Sequence, residues 1–328
     1  MRVLIAVLVL LAAMATTAHA KEPPLVLERT IKLTDVRGRI DHMAIDLGRR
    51  RLIVAELGNN SVDVIDLAAG KVLHRIGGQH EPQGVAFAQR ADAILVANGG
   101  DGAVRLFTAT DFVPISRISL GDDADNIHVD SRNGLAVVAF GSGGLALIDP
   151  GSRAVLGTIS LPAHPEGFSL DPASGRAYVN IPDARQTAVV DLDARRVIAT
   201  WPMRDAGANF PLTLDQQQRL LASAFRSPPT LMLLDSTTGA LRQKLSVCGD
   251  ADDVFFDDRR QRIYVSCGAG KVAVFQRSAS GWAQIASVQT AEGARTALFV
   301  PGLDRLFVAE RAGLLGSEAA IRVYRPAP

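Results

Sequence analysis

Apolar and polar residues alternate along most of the chain in short runs rich in Val, Ile, Leu and Ala, separated by clusters of Gly, Asp and Asn. One local phrase recurs: a polar segment, an apolar strand often closing on Asp, a short turn, and a second apolar strand. The first strands read HMAIDL from His42, QGVAFA from Gln83, NIHVD from Asn126, GFSLD from Gly167, PLTLD from Pro211, DVFFD from Asp253 and TALFV from Thr296, spaced 41, 43, 41, 44, 42 and 43 residues apart. Second strands follow as RLIVAE, AILVAN, LAVVAF, RAYVNI, RLLASA, RIYVSC and RLFVAE. Third strands such as SVDVIDL and TAVVDLD, and more amphipathic fourth strands such as KVLHRIG and RVIATWP, complete most copies. Period-2 alternation between turn residues identifies β-strands. Four strands per repeat of about 40 to 45 residues is the pattern of a propeller blade. The prediction is an all-β, seven-bladed β-propeller of four antiparallel strands per blade, one domain over residues 21–328.

The punctuation agrees. Third strands end on Asp66, Asp149, Asp191 and Asp235, each followed by small or turn-forming residues. Asp at such a position accepts from the backbone N–H two residues on and closes a hairpin, a structural role. The seventh copy stops after its third strand, AIRVY from Ala320, while a spare strand, LVLERTIKL from Leu25, precedes the first copy. The N-terminal strand is therefore expected to complete the last blade and hide two edges. Pro326–Pro328 read as a tail.

With these residues in view a family resemblance appears. The VAV-like inner strand, YVTN-like second strand and VIDxxxxxV third strand resemble the YVTN-repeat family of secreted bacterial seven-bladed propellers, over essentially all of residues 21–328. The nearest matches to the motif are Tyr178-Val179-Asn180 and Tyr264-Val265-Ser266. The resemblance implies a funnel-centred site. Its architecture hosts binding scaffolds, lyases, lactonase-like hydrolases and subunits of redox complexes.

The N-terminus changes the cellular picture. MRVLIAVLVLLAAMATTAHA has one Arg, an apolar run from Val3 to Met14, and the small-residue site Ala18-His19-Ala20, the layout of a secretory signal peptide cleaved near Ala20. The run is too short for a permanent anchor, so a periplasmic or secreted protein without a membrane anchor is expected. Removing residues 1–20 takes away only Arg2 of the 35 basic residues and none of the 34 acidic ones. A near-neutral chain lacks the basic patch of a nucleic-acid binder. A monomer is expected, with a small ligand or a periplasmic protein as partner.

The two cysteines bracket one predicted hairpin, CGDADDVFFDDRRQRIYVSCG from Cys248 to Gly268. Pairing about its turn brings Cys267 beside Cys248, and an exported chain with an even cysteine count oxidises them. A metal clip wants more soft ligands near by, and a redox pair wants C-x-x-C spacing. The expectation is a structural disulfide.

In a propeller the residues opening the inner strands converge on a central funnel. The sequence places there Asp41, His42, Gln83, Asn126, His164, Glu166, Asn209, Asp252, Asp253 and Arg295, with Glu81 and Asp125 beside them. The ends of the second strands, Glu56, Asn98, Phe140, Ile181, Cys267 and Glu310, are expected on the same face. Turn chemistry alone explains many Asp and Asn residues in such loops. As a set, a ring of acceptors with two imidazoles and one guanidinium suits a polar ligand or a divalent cation. No nucleophile elbow, phosphate loop, haem-attachment motif or zinc helix is present in the sequence, which favours non-enzymatic binding through the funnel. One alternative is a metal-assisted lyase or lactonase-like hydrolase, with His42 or His164 as base and Asp41, Glu166, Asp252 and Asp253 holding the ion. A second is an accessory subunit of a periplasmic redox system. His74, His80 and His128 are expected to be structural.

Overall fold

The alternation read along the chain becomes seven four-stranded antiparallel sheets in the computed structural model, which describes residues 22–313 and 316–328. Each sheet is one blade, its strands running outward from the axis in chain order, except that in the seventh the outermost strand is the N-terminal one. Blade 1 comprises Met43–Asp46, Arg51–Glu56, Ser61–Asp66 and Lys71–Ile76. The inner strands of blades 2 to 7 are Pro82–Ala88, Ala124–Val129, Phe168–Asp171, Gly207–Asp215, Ala251–Asp257 and Ala297–Val300. The protein is a seven-bladed β-propeller. The signal peptide expected over residues 1–20 lies outside the described residues.

The ring closes as the strand count predicts. Leu25–Leu33 pairs with Ala319–Pro326, setting Leu25 opposite Pro326 and Leu33 opposite Ala319. The last three residues, by contrast, are not a loose tail. The Ala327 N–H donates to Pro24 O at 3.0 Å. Arg262, 5% exposed, donates to the carbonyls of Ala327 at 2.6 Å and Pro328 at 3.0 Å. A buried guanidinium needs acceptors, and the chain end supplies them.

Middle strands read as continuous apolar runs because neighbouring blades cover both of their faces; every residue of RIYVSC in blade 6 is buried. Outer strands keep the alternation, as in RVIATWP of blade 4. The core accordingly lies between blades. Ile31, Leu33, Phe307 and Ile321 of blade 7 pack on Leu52, Val54 and Ile65 of blade 1, and one comparable cluster fills each remaining boundary.

On the face where the inner strands end, arginine fasteners link neighbours. Asp46 accepts from the Arg49 guanidinium at 2.9 Å, and Arg49 continues to Asp92 of blade 2 at 2.7 Å. Arg132 joins Asp130 at 2.8 Å to Asp193 of blade 4 at 3.0 Å. Arg260 joins Asp257 at 3.1 Å to Asp304 of blade 7 at 2.6 Å. The third-strand aspartates cap turns as the sequence predicts: Asp66 accepts from the N–H groups of Ala68 and Ala69 at 2.8 and 2.9 Å, and Asp235 from Thr237 at 2.8 Å.

Candidate functional site

At the opposite face the inner strands open on loops that bulge. In blade 3, Ala124 pairs with Phe140 and Ile127 with Val138, so one residue of Asp125-Asn126 is extra. Blade 6 repeats this with Ala251 opposite Cys267 and Asp253 opposite Ser266. These are the twin phrases DADN and DADD. Both first aspartates, Asp123 and Asp250, adopt positive φ (33° and 57°), and their carbonyls accept from Gly141 at 3.0 Å and Gly268 at 2.8 Å. The alanines are fully buried. A bulge re-aims side chains, here toward the axis. In blade 6 the loop is also tied covalently: Cys248 and Cys267 form a disulfide, with Cα atoms 5.9 Å apart.

The inner strands surround a cavity of about 710 Å³. Asp41, His42, Gln83, Asn126, His164, Glu166, Asp252, Asp253 and Arg295 line it. Asn209 does not. It pairs with Phe225 ahead of the blade 5 bulge, the position that holds the buried Ala124 and Ala251 elsewhere. It is fully buried, and its amide donates to Gln186 O at 3.2 Å. The bulge sends Phe210 to the cavity instead. The second-strand ends Glu56, Asn98, Phe140, Ile181, Cys267 and Glu310, together with Glu81, are likewise absent from the lining. Glu56 is enclosed with Ser61, Asp63 and Arg75, where burial pushes its carboxyl up to about 8.

Several lining residues escape the sequence pattern. Arg39 approaches Asp41 at 2.7 Å. Arg226, from the end of the second strand of blade 5, lies over the Phe210 ring at 3.9 Å. It reaches Asp250 at 3.2 Å and also pairs with Asp252. Asp123 accepts from Gln83 at 2.9 Å. His128, expected to be structural, is exposed to the lumen and meets Phe168 edge-on at 4.6 Å between centroids. Arg226 had no signal in the repeat, since it lies two residues beyond the end of the predicted strand RLLASA.

The twin loops grip opposite kinds of cation. Asp250 and Asp252 hold Arg295 of blade 7 at 3.1 and 3.0 Å. Asp125 and Asp123 hold His164 ahead of blade 4 at 3.3 and 3.7 Å. His164 Nδ1 also meets Gly141 O at 2.6 Å. A carbonyl and a carboxylate both accept, so both ring nitrogens donate and the ring is an imidazolium. The hydrogen bond to Asp125 leads in holding its pKa up, at about 9.

The site as a whole favours protons. Burial opposes the charge on His42, yet Asp41, Asp253, Asp125 and Asp252 outweigh it and hold its pKa at about 9. Burial, reinforced by Asp125, pushes Glu166 up to about 7. Burial and then Asp252 push Asp253 up to about 8, against a 2.7 Å hydrogen bond from the Ala297 N–H. Asp41 and Asp123 are raised for the same leading reason. His128, although open to the lumen, moves the other way, to about 4, because the surrounding walls displace much of its solvent and His42 lies close by.

Among the described residues no three His, Cys, Asp or Glu side chains gather in a metal-holding group. Two of the four carboxylates proposed for a divalent ion are engaged with guanidiniums, Asp41 with Arg39 and Asp252 with Arg226 and Arg295.

Comparison with known proteins supports the fold alone. The sequence matches no protein-family model and no curated protein sequence. A chain of hydrazine synthase from Kuenenia stuttgartiensis is similar in structure, with a TM-score of 0.77 at 15% identity, covering 88% of this chain and 96% of that one. A chain of the mitotic checkpoint complex has a TM-score of 0.80 at 13% identity, covering 99% of each. Both likenesses are of architecture.

Proposed function

We propose that this protein is an exported YVTN-like propeller that binds a small polar ligand in its axial cavity without chemical turnover. The observation that carries the proposal is a set of hydrogen-bonding side chains facing that cavity with no side-chain or backbone hydrogen bond among the described residues: His42, Asn126 and Glu166. Their polar atoms stay open to the lumen, where an entering ligand can pair with them. A volume of about 710 Å³ falls within the range of small-molecule sites. The disulfide fits an oxidising compartment, and no helix among the described residues is long and apolar enough to cross a membrane.

Hydrolase or lyase chemistry is less well supported. His42 and His164 are held as imidazolium ions at neutral pH by their carboxylate neighbours, which removes them as general bases. The likeness to a chain of hydrazine synthase adds nothing to a role beside a redox enzyme, because it is one of fold.

The test is a thermal-shift screen of residues 21–328 against polar metabolites of every charge class, since a ligand that binds only the native state raises its melting temperature. At least one class is expected to do so, with the shift lost in Asn126→Ala. A hit whose shift survives Asn126→Ala and His42→Ala alike would place binding elsewhere.

A further inference from the structure

We infer that the axial cavity is built for a small organic ammonium compound, a primary amine on an apolar body, seated at Glu166 and Asn126; this rests on the cavity being a ligand site.

Pairing of the fixed charges gives the first reason. Each guanidinium of the lining already has its carboxylate: Arg39 has Asp41 at 2.7 Å, Arg295 has Asp252 at 3.0 Å, and Arg226 has Asp250 at 3.2 Å. An incoming anion would have to strip an aspartate from one of them. Glu166, in contrast, accepts no hydrogen bond from any described residue, and Asp253 accepts only the Ala297 N–H at 2.7 Å. Asp253 stands beside the His42 imidazolium, so Glu166 is the carboxylate left open.

The second reason is independent of the acids. Asn126 lines the cavity, is 7% exposed, and its amide is without a partner among the described residues. Its Oδ1 can accept from an ammonium group, which carries several N–H donors and asks for neighbouring acceptors. Below this level Phe87, Phe255 and Leu298 line the same cavity, an apolar wall on which aromatic faces attract a cation. A metal ion does not suit, because its donors must close to bonding distance and no three are so gathered. An ammonium group can be held by one carboxylate and one amide oxygen, with its remaining N–H left to water.

The probes are matched in shape and differ in charge: 2-phenylethylamine, phenylacetate and 2-phenylethanol, with calcium and manganese ions beside them, titrated calorimetrically into the disulfide-bonded protein at pH 8. The amine is expected to bind and the other four are not. Glu166→Gln should weaken the amine by about 10- to 100-fold, the loss expected for a charge-assisted hydrogen bond, with a melting temperature no lower than the parent's; Asn126→Ser gives a second, smaller loss. Equal or tighter binding of the carboxylate, the alcohol or either metal overturns the cation assignment. If such binding still depends on Asn126, the cavity remains the ligand site and only its chemistry is reassigned. No binding of the amine at millimolar concentration overturns the inference, while the broad screen decides the ligand site separately.

Discussion

Arg295 closes on Asp252 at 3.0 Å across the boundary between blades 6 and 7. Three blades earlier His164 closes on Asp125 at 3.3 Å in the same way. The two joints share a backbone loop and differ in their cation. A guanidinium keeps its charge at any pH a protein tolerates, whereas an imidazolium can lose it. The funnel therefore has one permanent joint and one that titrates.

Stability should fall as the medium is made alkaline. Glu166, Asp253, His42 and His164 all have native pKa values raised above their ordinary ones, to about 7, 8, 9 and 9. In each case the folded state holds the proton more tightly, so the stability is full below the ordinary value and is lost as pH rises through the native one. The turn carboxyls whose pKa is lowered, such as Asp92 and Asp149, matter only below about pH 4. The melting temperature should drop steadily from pH 5 to pH 9. A flat or rising profile would contradict the proton-rich site.

Arg260→Ala should cost about 1 to 3 kcal/mol, because it leaves Asp257, Asp304 and the Ala327 carbonyl without their shared donor. Denaturant unfolding should stay one cooperative step, as each boundary cluster belongs to two blades. A separate early transition for blade 7 would count against that mechanics.

Gly84→Ala should destabilise by about 1 to 3 kcal/mol through overpacking, for a Cβ at Gly84 would stand 2.2 Å from Asp125 O in blade 3. Gly167, where the distance to Phe210 O would be 2.4 Å, should behave alike. These glycines set how closely adjacent inner strands approach at the funnel. Variants that melt with the parent protein would show that the blades can separate there freely.

The repeat was legible because burial from both sides forces apolar runs on the middle strands, and the turn aspartates mark where each hairpin closes. Seven inner strands, ring closure by Leu25–Leu33 and the cysteine pairing all follow from that spacing. The site was only partly legible. A bulge adds a residue without changing the look of a strand, so Asn209 reads as a funnel residue while Phe210 takes the place. Arg226 and Arg39 were hidden for another reason: long side chains reach the axis from positions the period does not mark. The C-terminal residues look like a tail only until Arg262 is seen to need their carbonyls.

Replacing both Cys248 and Cys267 by Ser should leave a folded propeller, less stable by at most about 3 kcal/mol for a loop of this size. Blade 3 holds the same loop without a bridge. The loss should fall on ligand affinity as well, because the bridge anchors the loop bearing Asp250, Asp252 and Asp253. Calorimetry on the double variant checks both effects, and unaltered affinity would separate the bridge from the site.

The most direct measurement is a crystal structure of residues 21–328 with 2-phenylethylamine bound at pH 8. The account predicts density for the amine in the axial cavity, its nitrogen within hydrogen-bonding distance of Glu166 and Asn126 and its ring toward Phe87 and Phe255. Density on an outer blade surface, with the axial residues arranged as they are without ligand, would contradict it.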